Sequence, residues 1–337
     1  MFFRHSCEIV GLGENLKQTT GLDFNFKSPI EASLHVGNKH PDGRQLSGAS
    51  NAACFATTAG DISDSSSAEV IRSALSSSVD GKWANFGGTA ANLSSAIWPA
   101  VDHFFGPLRQ LVESAVPILR WRCGLAQGPA TDLFCNHHQY LSEDGEVWFE
   151  VSMLRGLQIV FFPPIRQVKA SSEIENDVVE FVNNGNEEPL GHQLLREAWS
   201  QRGSHPRSAL VIGVAAAEVG LKKLIGALVP EAEWLLDEIQ TPPFSKMLRK
   251  YLPSLKVKAH FQGKSIAPPN KLIAKLDRAV EHRNKMVHAG KAPPPGGELE
   301  EMLKAVEELL WICDAYSGHR WVAGYISSDT IADWGSE

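Results

Sequence analysis

The sequence predicts an α+β protein, with a mixed, β-rich N-terminal domain over residues 1–186 and an all-α domain over residues 187–337. Strand-like runs separated by Gly, Asp, Asn and Ser indicate a sheet in the first half. The segment Asn-Asn-Gly-Asn-Glu-Glu-Pro at 183–189 interrupts all periodicity, and after it apolar residues recur with helical spacing. A chain of 337 residues is long enough for two domains.

Within the first domain, β-branched and aromatic runs predict strands, and Asp144-Gly145 predicts a hairpin turn between two of them. Spaced apolar residues over 98–121 predict a helix, which we expect Pro107 and Pro117 to interrupt because proline lacks the backbone N–H. The predicted strands cover Ile30–Val36, Val147–Met153 and Leu157–Phe162.

The second domain has the pattern of a helical bundle. Ser204 to Pro206 reads as a helix start, Gly290 as a helix stop, and the segment Pro-Pro-Pro-Gly-Gly at 293–297 as a tight break. A Glu298, Glu300, Glu301 cluster then lies where a helix dipole favours negative charge. The predicted helices are Leu190–Gln201, Arg207–Leu228, Glu231–Glu238, Pro243–Leu252, Pro269–Ala289 and Gly297–Tyr316.

The composition is that of an ordinary globular protein, with 43% hydrophobic, 21% charged and 8% aromatic residues, which excludes disordered and fibrous classes. No secretion signal is visible at the start, so we expect a cytoplasmic protein. The longest apolar run, Ala209 to Ala217, is too short to cross a bilayer. Five widely spaced cysteines without a Cys-x-x-Cys motif predict reduced thiols.

Charge is unevenly distributed along the chain. The net charge is −7, yet residues 246–291 hold 12 basic side chains against only Asp277 and Glu281. Such a stretch is either a solvated surface or a surface that contacts a phosphate backbone. If the second interpretation holds, the candidates for that contact are Lys246, Arg249, Lys250, Lys256, Lys258 and Lys285.

One charged residue interrupts an apolar helix face. The stripe Leu272, Leu276, Val280 continues to Val287, and Arg283 stands at the position between the last two. Because a buried guanidinium without a partner is costly, Arg283 must meet a carboxylate, a subunit interface or an anionic ligand.

The helix at 207–228 offers a partner for Arg283. Glu218 is the only charge within its otherwise apolar middle section, and we expect it to pair with Arg283. The alternative is that both side chains reach solvent independently at the edges of their helices.

Asn284 and His288 are four residues apart and share a helix face, where the amide can orient the imidazole. Arg283 and His288 are five apart, about 140° around an ideal helix. A regular helix cannot direct both at one phosphate. Either the helix loosens at Ala289-Gly290, or a second copy completes the site across a two-fold axis.

The segment Arg283-Asn284-Lys285-Met286-Val287-His288 resembles the Arg-x4-6-His motif of the HEPN family, in which a polar residue often follows the Arg. The apolar helix with an internal Glu and the later amphipathic helix are also similar to that family. The resemblance covers about residues 190–320 and makes the second domain HEPN-like. Residues 1–186 resemble no family.

The resemblance implies a homodimer that cleaves RNA without a metal or other cofactor. Arg283 would stabilise charge in the transition state, His288 would act as general base or acid for attack by the ribose 2′-OH, and Asn284 would orient it. The product would carry a 2′,3′-cyclic phosphate, and the basic residues between 246 and 291 named above would bind the RNA backbone. Members of the HEPN family often act as toxins or anti-phage effectors, and if that role applies here, residues 1–186 would sense a ligand or partner or restrain the enzyme.

Two alternatives stay open at this point. The second domain is a ribonuclease, or it is a non-catalytic HEPN-like module that binds RNA or nucleotide or dimerises. A zinc site is disfavoured, because Cys123, Cys135, His137 and His138 have no familiar ligand spacing and adjacent histidines on a strand point to opposite faces.

Overall fold

In the computed structural model the chain folds as two compact units. The N-terminal unit comprises Met1–Leu125 and Asp132–Glu187, and the C-terminal unit contains Glu188–Glu337. The predicted α+β class is confirmed, with an antiparallel sheet followed by a helical region. The structure describes residues 1–9, 16, 21–27, 30–38, 46, 52–62, 68–69, 71, 90–125, 134–142, 149–154, 171–238, 243–261 and 263–334.

The N-terminal unit is built on an antiparallel sheet with the strand order β2-β3-β4-β1-β5-β6. Strand β2 shows the expected alternation, because Leu22, Phe24 and Phe26 are buried and the intervening residues are exposed. The central strand β1 pairs with β4 on one side and with β5 on the other. The strands are β1 Phe2–Ile9, β2 Leu22–Phe26, β3 Ala32–Gly37, β4 Ala52–Ala59, β5 Phe134–Ser142 and β6 Phe149–Leu154.

Two of the three predicted strands are present, with shifted ends, as β3 and β6. The third, Leu157–Phe162, lies outside the described residues, as does the predicted turn at Asp144-Gly145. Strands β5 and β6 on either side of that turn do pair antiparallel, with Leu141 opposite Phe149.

Helix α1 runs without interruption over Ala90–Arg122, so the predicted breaks near Pro107 and Pro117 are wrong. A proline inside a helix costs about 3 kcal/mol, and α1 offsets this by burying its apolar side chains. Phe104 of α1 stacks on Phe3 of β1, with ring centroids 3.9 Å apart. The helix therefore covers one face of the sheet.

A second helix of this unit, α2 at Ser172–Asn183, is absent from the predictions. Its sequence is mostly polar, and within it Val178 is the buried side chain. The side chain of Ser171 caps its first turn by accepting from the backbone N–H of Ile174. Asp177 of α2 accepts from Arg122 at 2.6 Å and ties the helix to the end of α1.

The C-terminal unit is helical, and its long helices lie within one residue of the predicted ends. The predicted helix Pro243–Leu252 is instead a short α-helix, a π-turn at Met247–Tyr251 and a 3-10 turn at Leu252–Ser254. Helix α5 is preceded by a 3-10 turn at Pro230–Ala232. The helices are α3 Leu190–Gln201, α4 Pro206–Leu228, α5 Glu233–Glu238, α6 Phe244–Lys246, α7 Asn270–Ala289, α8 Gly296–Tyr316 and α9 Ser328–Asp333.

Helices α4 and α8 approach closely at two glycines of α4. An added Cβ at Gly213 would lie 2.5 Å from Cδ2 of Leu303, and one at Gly220 would overlap Leu310. Within the described helices, none is long and apolar enough to traverse a lipid bilayer.

Candidate functional site

Helix α7 carries the three residues predicted to act in catalysis, Arg283, Asn284 and His288. The buried face of α7 comprises Leu272, Ile273, Leu276, Ala279 and Met286. Met286 therefore continues the apolar stripe, and the assignment of Val287 to it is wrong because that side chain is 53% exposed. Arg283 still interrupts the buried face, since it lies four residues after Ala279 and three before Met286.

Arg283 forms the ion pair that the sequence predicts. Its Nη2 donates to Oε1 of Glu218 on α4 at 2.5 Å, and each side chain is 16% exposed. Burial raises the pKa of Glu218, while the positive charge of Arg283 and then that of Lys222 act in the opposite direction. The pair therefore joins α4 to α7 and holds the guanidinium near the protein surface.

His288 and Asn284 lie on a different side of α7 from the buried face. His288 is exposed and Asn284 is half-buried. The spacing of four residues places them on one face, and Val287 is beside them. Among the described side chains no hydrogen bond joins Asn284 to His288, so the predicted orienting contact is not formed in this state.

The end of α7 removes one of the two arrangements that the sequence left open, the one in which the helix loosens at Ala289-Gly290. The helix is regular through Ala289, and Gly290 caps it in the left-handed region at φ +62°. The N–H of Gly290 bonds to the carbonyl of Lys285, which closes the last turn. Because the helix does not loosen before Gly290, one chain directs Arg283 and His288 to different sides.

Glu298, at the start of α8, faces basic residues of α7. Its Oε1 lies 2.6 Å from Nη2 of Arg278 and 3.5 Å from Nε2 of His282. This contact holds the two long helices together across the Pro-Gly linker that separates them. The remaining ion pair on this part of α7 joins Lys285 to Glu281 at 2.6 Å on the exposed side.

The basic residues predicted to bind RNA are all exposed, but they are not gathered around His288. Arg249 donates to Oδ1 of Asn270, which places the π-turn at the first residue of α7. A rise of 1.5 Å per residue puts that point about 27 Å along the helix from His288. Of these basic residues, only Lys285 belongs to the helical turn that carries the motif. Five lie before the first residue of α7, namely Lys246, Arg249, Lys250, Lys256 and Lys258.

The sequence missed one group of chemically capable residues. His5, Cys7 and His137 in the N-terminal unit present ligand atoms that lie within 4.8 Å of one another. The sequence contains one indication of this group, the pair His5-x-Cys7 on a strand, because side chains two residues apart on a strand share a face. The pair alone does not predict a metal site, because the third residue lies 130 positions away from Cys7.

Comparisons with protein-family models, with curated proteins and with solved structures found no match to this chain. The HEPN resemblance of the segment from Arg283 to His288 therefore stays a prediction.

Proposed function

We propose that the protein is a metal-independent endoribonuclease whose active site forms between the α7 helices of two copies. The reaction is attack of a ribose 2′-OH on the neighbouring phosphate, which yields a 2′,3′-cyclic phosphate. The observation that carries the proposal is the Arg283–Glu218 pair. It holds a guanidinium at the surface of an otherwise apolar helix face, five residues before an exposed His288.

Arg283 supplies charge to the transition state. A guanidinium has five N–H donors in a planar fork, so the bond from Nη2 to Glu218 leaves donors for a phosphate oxygen. Fixing the guanidinium in advance lowers the entropy that must be lost when the phosphate binds. Glu218 is accordingly a positioning residue.

His288 transfers the proton. Imidazole is the side chain best suited to proton transfer near neutral pH, and its exposure lets it reach a substrate outside its own helix. Because α7 is regular to Ala289, His288 of one copy acts with Arg283 of the other. Asn284 would complete its orientation once the two helices face each other.

The surface around the motif is suited to a second copy. Val287, which is next to His288, is 53% exposed. Val211 is also exposed, and it lies on the same face of α4 as Glu218. Burial of such apolar side chains favours association by about 25 cal/mol per Å². The exposed basic residues at the other end of α7 would then extend the RNA contact along each copy.

The deciding experiment is cleavage of a labelled RNA pool in EDTA by the wild type and by His288→Ala. The matched control is His260→Ala, which removes another exposed imidazole of the same unit. We expect the wild type and the control to produce cyclic-phosphate ends and His288→Ala to produce none. DNA of the same sequence should stay intact, because it lacks the 2′-OH. Cleavage that survives in His288→Ala contradicts the proposal.

The resemblance further suggests a role as a toxin or anti-phage effector. Induction of the wild-type chain should then arrest cell growth, while induction of His288→Ala to the same protein level should not. Equal growth with both chains would contradict the role as a toxin, while the proposed ribonuclease activity would still be decided by the cleavage experiment.

A second candidate function is a non-catalytic module that binds RNA or dimerises. The observation that favours it is the same Arg283–Glu218 contact, which by itself joins two helices of the bundle. In that case Arg283→Ala and Glu218→Ala lower the free energy of unfolding together and non-additively. RNA binding or dimerisation without cleavage, combined with that coupling, selects the module.

A further inference from the structure

We infer that His5, Cys7 and His137 form a binding site for a zinc-type divalent ion in the N-terminal unit. The inference does not depend on the proposed ribonuclease, which uses other residues in the other unit. The spacing of Cys123, Cys135, His137 and His138 disfavours a zinc site made of those four residues, and His5 and Cys7 lie outside that set.

Sheet pairing brings the three side chains together. His5 and Cys7 are two residues apart on β1 and share a face, and His5 is opposite Gln139 on β5. Counting back two residues along β5 puts His137 on that face as well. The register that pairs His5 with Gln139 and Ser6 with His138 continues to His137 opposite Cys7, and it shifts only beyond that point, before Glu8.

The distance between the two histidine nitrogens fits coordination of one and the same metal ion. Nδ1 of His137 lies 3.2 Å from Nε2 of His5. Two nitrogen ligands at the usual zinc distance and a tetrahedral angle are separated by about 3.3 Å. The ligand atoms of all three residues, including Sγ of Cys7, lie within 4.8 Å of one another. Imidazole and thiolate are the ligands that zinc prefers.

The ligand imidazoles lie inside the unit. His5 is 2% exposed and His137 is half-buried, and imidazole binds a metal ion in its neutral form. Nδ1 of His5 has no hydrogen-bond partner among the described atoms, so the facing Nε2, which contacts His137, is the nitrogen that this ring offers to the site.

The charge of Arg109 opposes a cation, but Arg109 donates from Nε to Glu113 at 2.8 Å. On binding, Cys7 loses its thiol proton and coordinates as thiolate. The proton shared between the facing nitrogens Nε2 of His5 and Nδ1 of His137 moves to the far nitrogen of the ring that carried it. The two rings then hold their protons on Nδ1 of His5 and Nε2 of His137, and only the Cys7 proton leaves the protein for each ion bound. With three protein ligands among the described residues, the fourth tetrahedral position holds water.

The test is titration of the metal-free full-length chain with Co²⁺, which takes the same ligands as zinc and absorbs light. We expect one equivalent to bind with tetrahedral absorption bands and a thiolate-to-cobalt charge-transfer band, and Zn²⁺ to displace it. His137→Gln, at the half-buried ligand, should weaken binding by more than about 100-fold. Cys7→Ser should remove the charge-transfer band.

Two control variants match these changes. Cys54→Ser alters the buried cysteine opposite Cys7 on β4, and His138→Ala alters the neighbour of His137 on the other strand face. Both should retain the thiolate band, with circular dichroism confirming the fold of every variant. Absence of a thiolate band in the wild type overturns the inference without any variant. A band that persists in His137→Gln, or disappears in Cys54→Ser, also overturns it.

Discussion

Arg196 and Glu188 form a two-point ion pair inside the C-terminal unit, with both terminal nitrogens of the guanidinium donating to the two carboxylate oxygens. The Glu188 side chain is only 1% exposed and that of Arg196 is 8% exposed. The backbone carbonyl of Glu188 also accepts from Gln193 at 2.6 Å. This arrangement fixes the chain just before α3.

Replacing Glu188 by Ala should destabilise the C-terminal unit by about 3–5 kcal/mol, because it leaves a buried guanidinium without its counter-charge. Urea unfolding followed by the fluorescence of the buried Trp199 and Trp311 measures the change. Glu187→Ala, at the exposed neighbouring position, should change the stability by no more than about 0.5 kcal/mol. Equal effects of the two substitutions would contradict a structural role for the pair.

Glu218 should make stability depend on pH. Because burial raises its folded pKa above the ordinary value of 4.5, its stabilising contribution is complete below that value and is lost as pH rises through the folded pKa. Glu218→Gln should remove this part of the decline in the free energy of unfolding. The exposed Glu301→Gln serves as the control, and an unchanged pH profile for Glu218→Gln would show that the raised pKa is absent.

His5 should have the opposite effect in the N-terminal unit. Burial lowers the pKa of His5 in the folded chain to about 3, whereas its ordinary value is 6.5. The unfolded chain therefore binds one more proton than the folded chain, and the free energy of unfolding falls as pH drops below 6.5. At pH 5, measured in EDTA, the loss is about 2 kcal/mol. Hydrogen exchange of the β1 amides reports it. His5→Gln should show no such acid-dependent loss.

Gly290 should be required for the end of α7. Its φ of +62° is unfavourable for any residue with a Cβ, although no more distant part of the described chain comes within 4 Å of the position where that Cβ would be. Gly290→Ala should therefore cost about 1–2 kcal/mol through the backbone alone. Gly296→Ala, at an equally open site without a positive φ, is the control and should be neutral or slightly stabilising.

The long helices of the C-terminal unit could be predicted because each combines an apolar stripe with a start or stop signal. Arg283 was recognisable for the same reason, since a charge on an apolar stripe is visible in a single sequence. The pairing with Glu218 followed because the apolar part of α4 contains no other charge. The prediction that prolines interrupt α1 was wrong, because burial of the helix in the tertiary structure outweighs the local preference of proline against helix.

The sheet was less predictable. Most residues of β1 are buried on both faces of the sheet, so buried and exposed positions do not alternate strictly along the strand. Strand β4 is rich in Ala and Thr. Neither strand shows the period of two on which sequence prediction depends. The His5, Cys7 and His137 cluster depends on the pairing of β1 with β5, and a register between distant strands cannot be obtained from one sequence.

The central position of β1 sets an order for the folding of the N-terminal unit during synthesis. β1 emerges from the ribosome before either neighbour exists, gains β4 once residue 59 is made, and gains β5 only after residue 142. Until then one edge of β1 stays open to other chains. The release of residue 142 from the ribosome is therefore the point at which aggregation risk falls and zinc can first be captured at the inferred site.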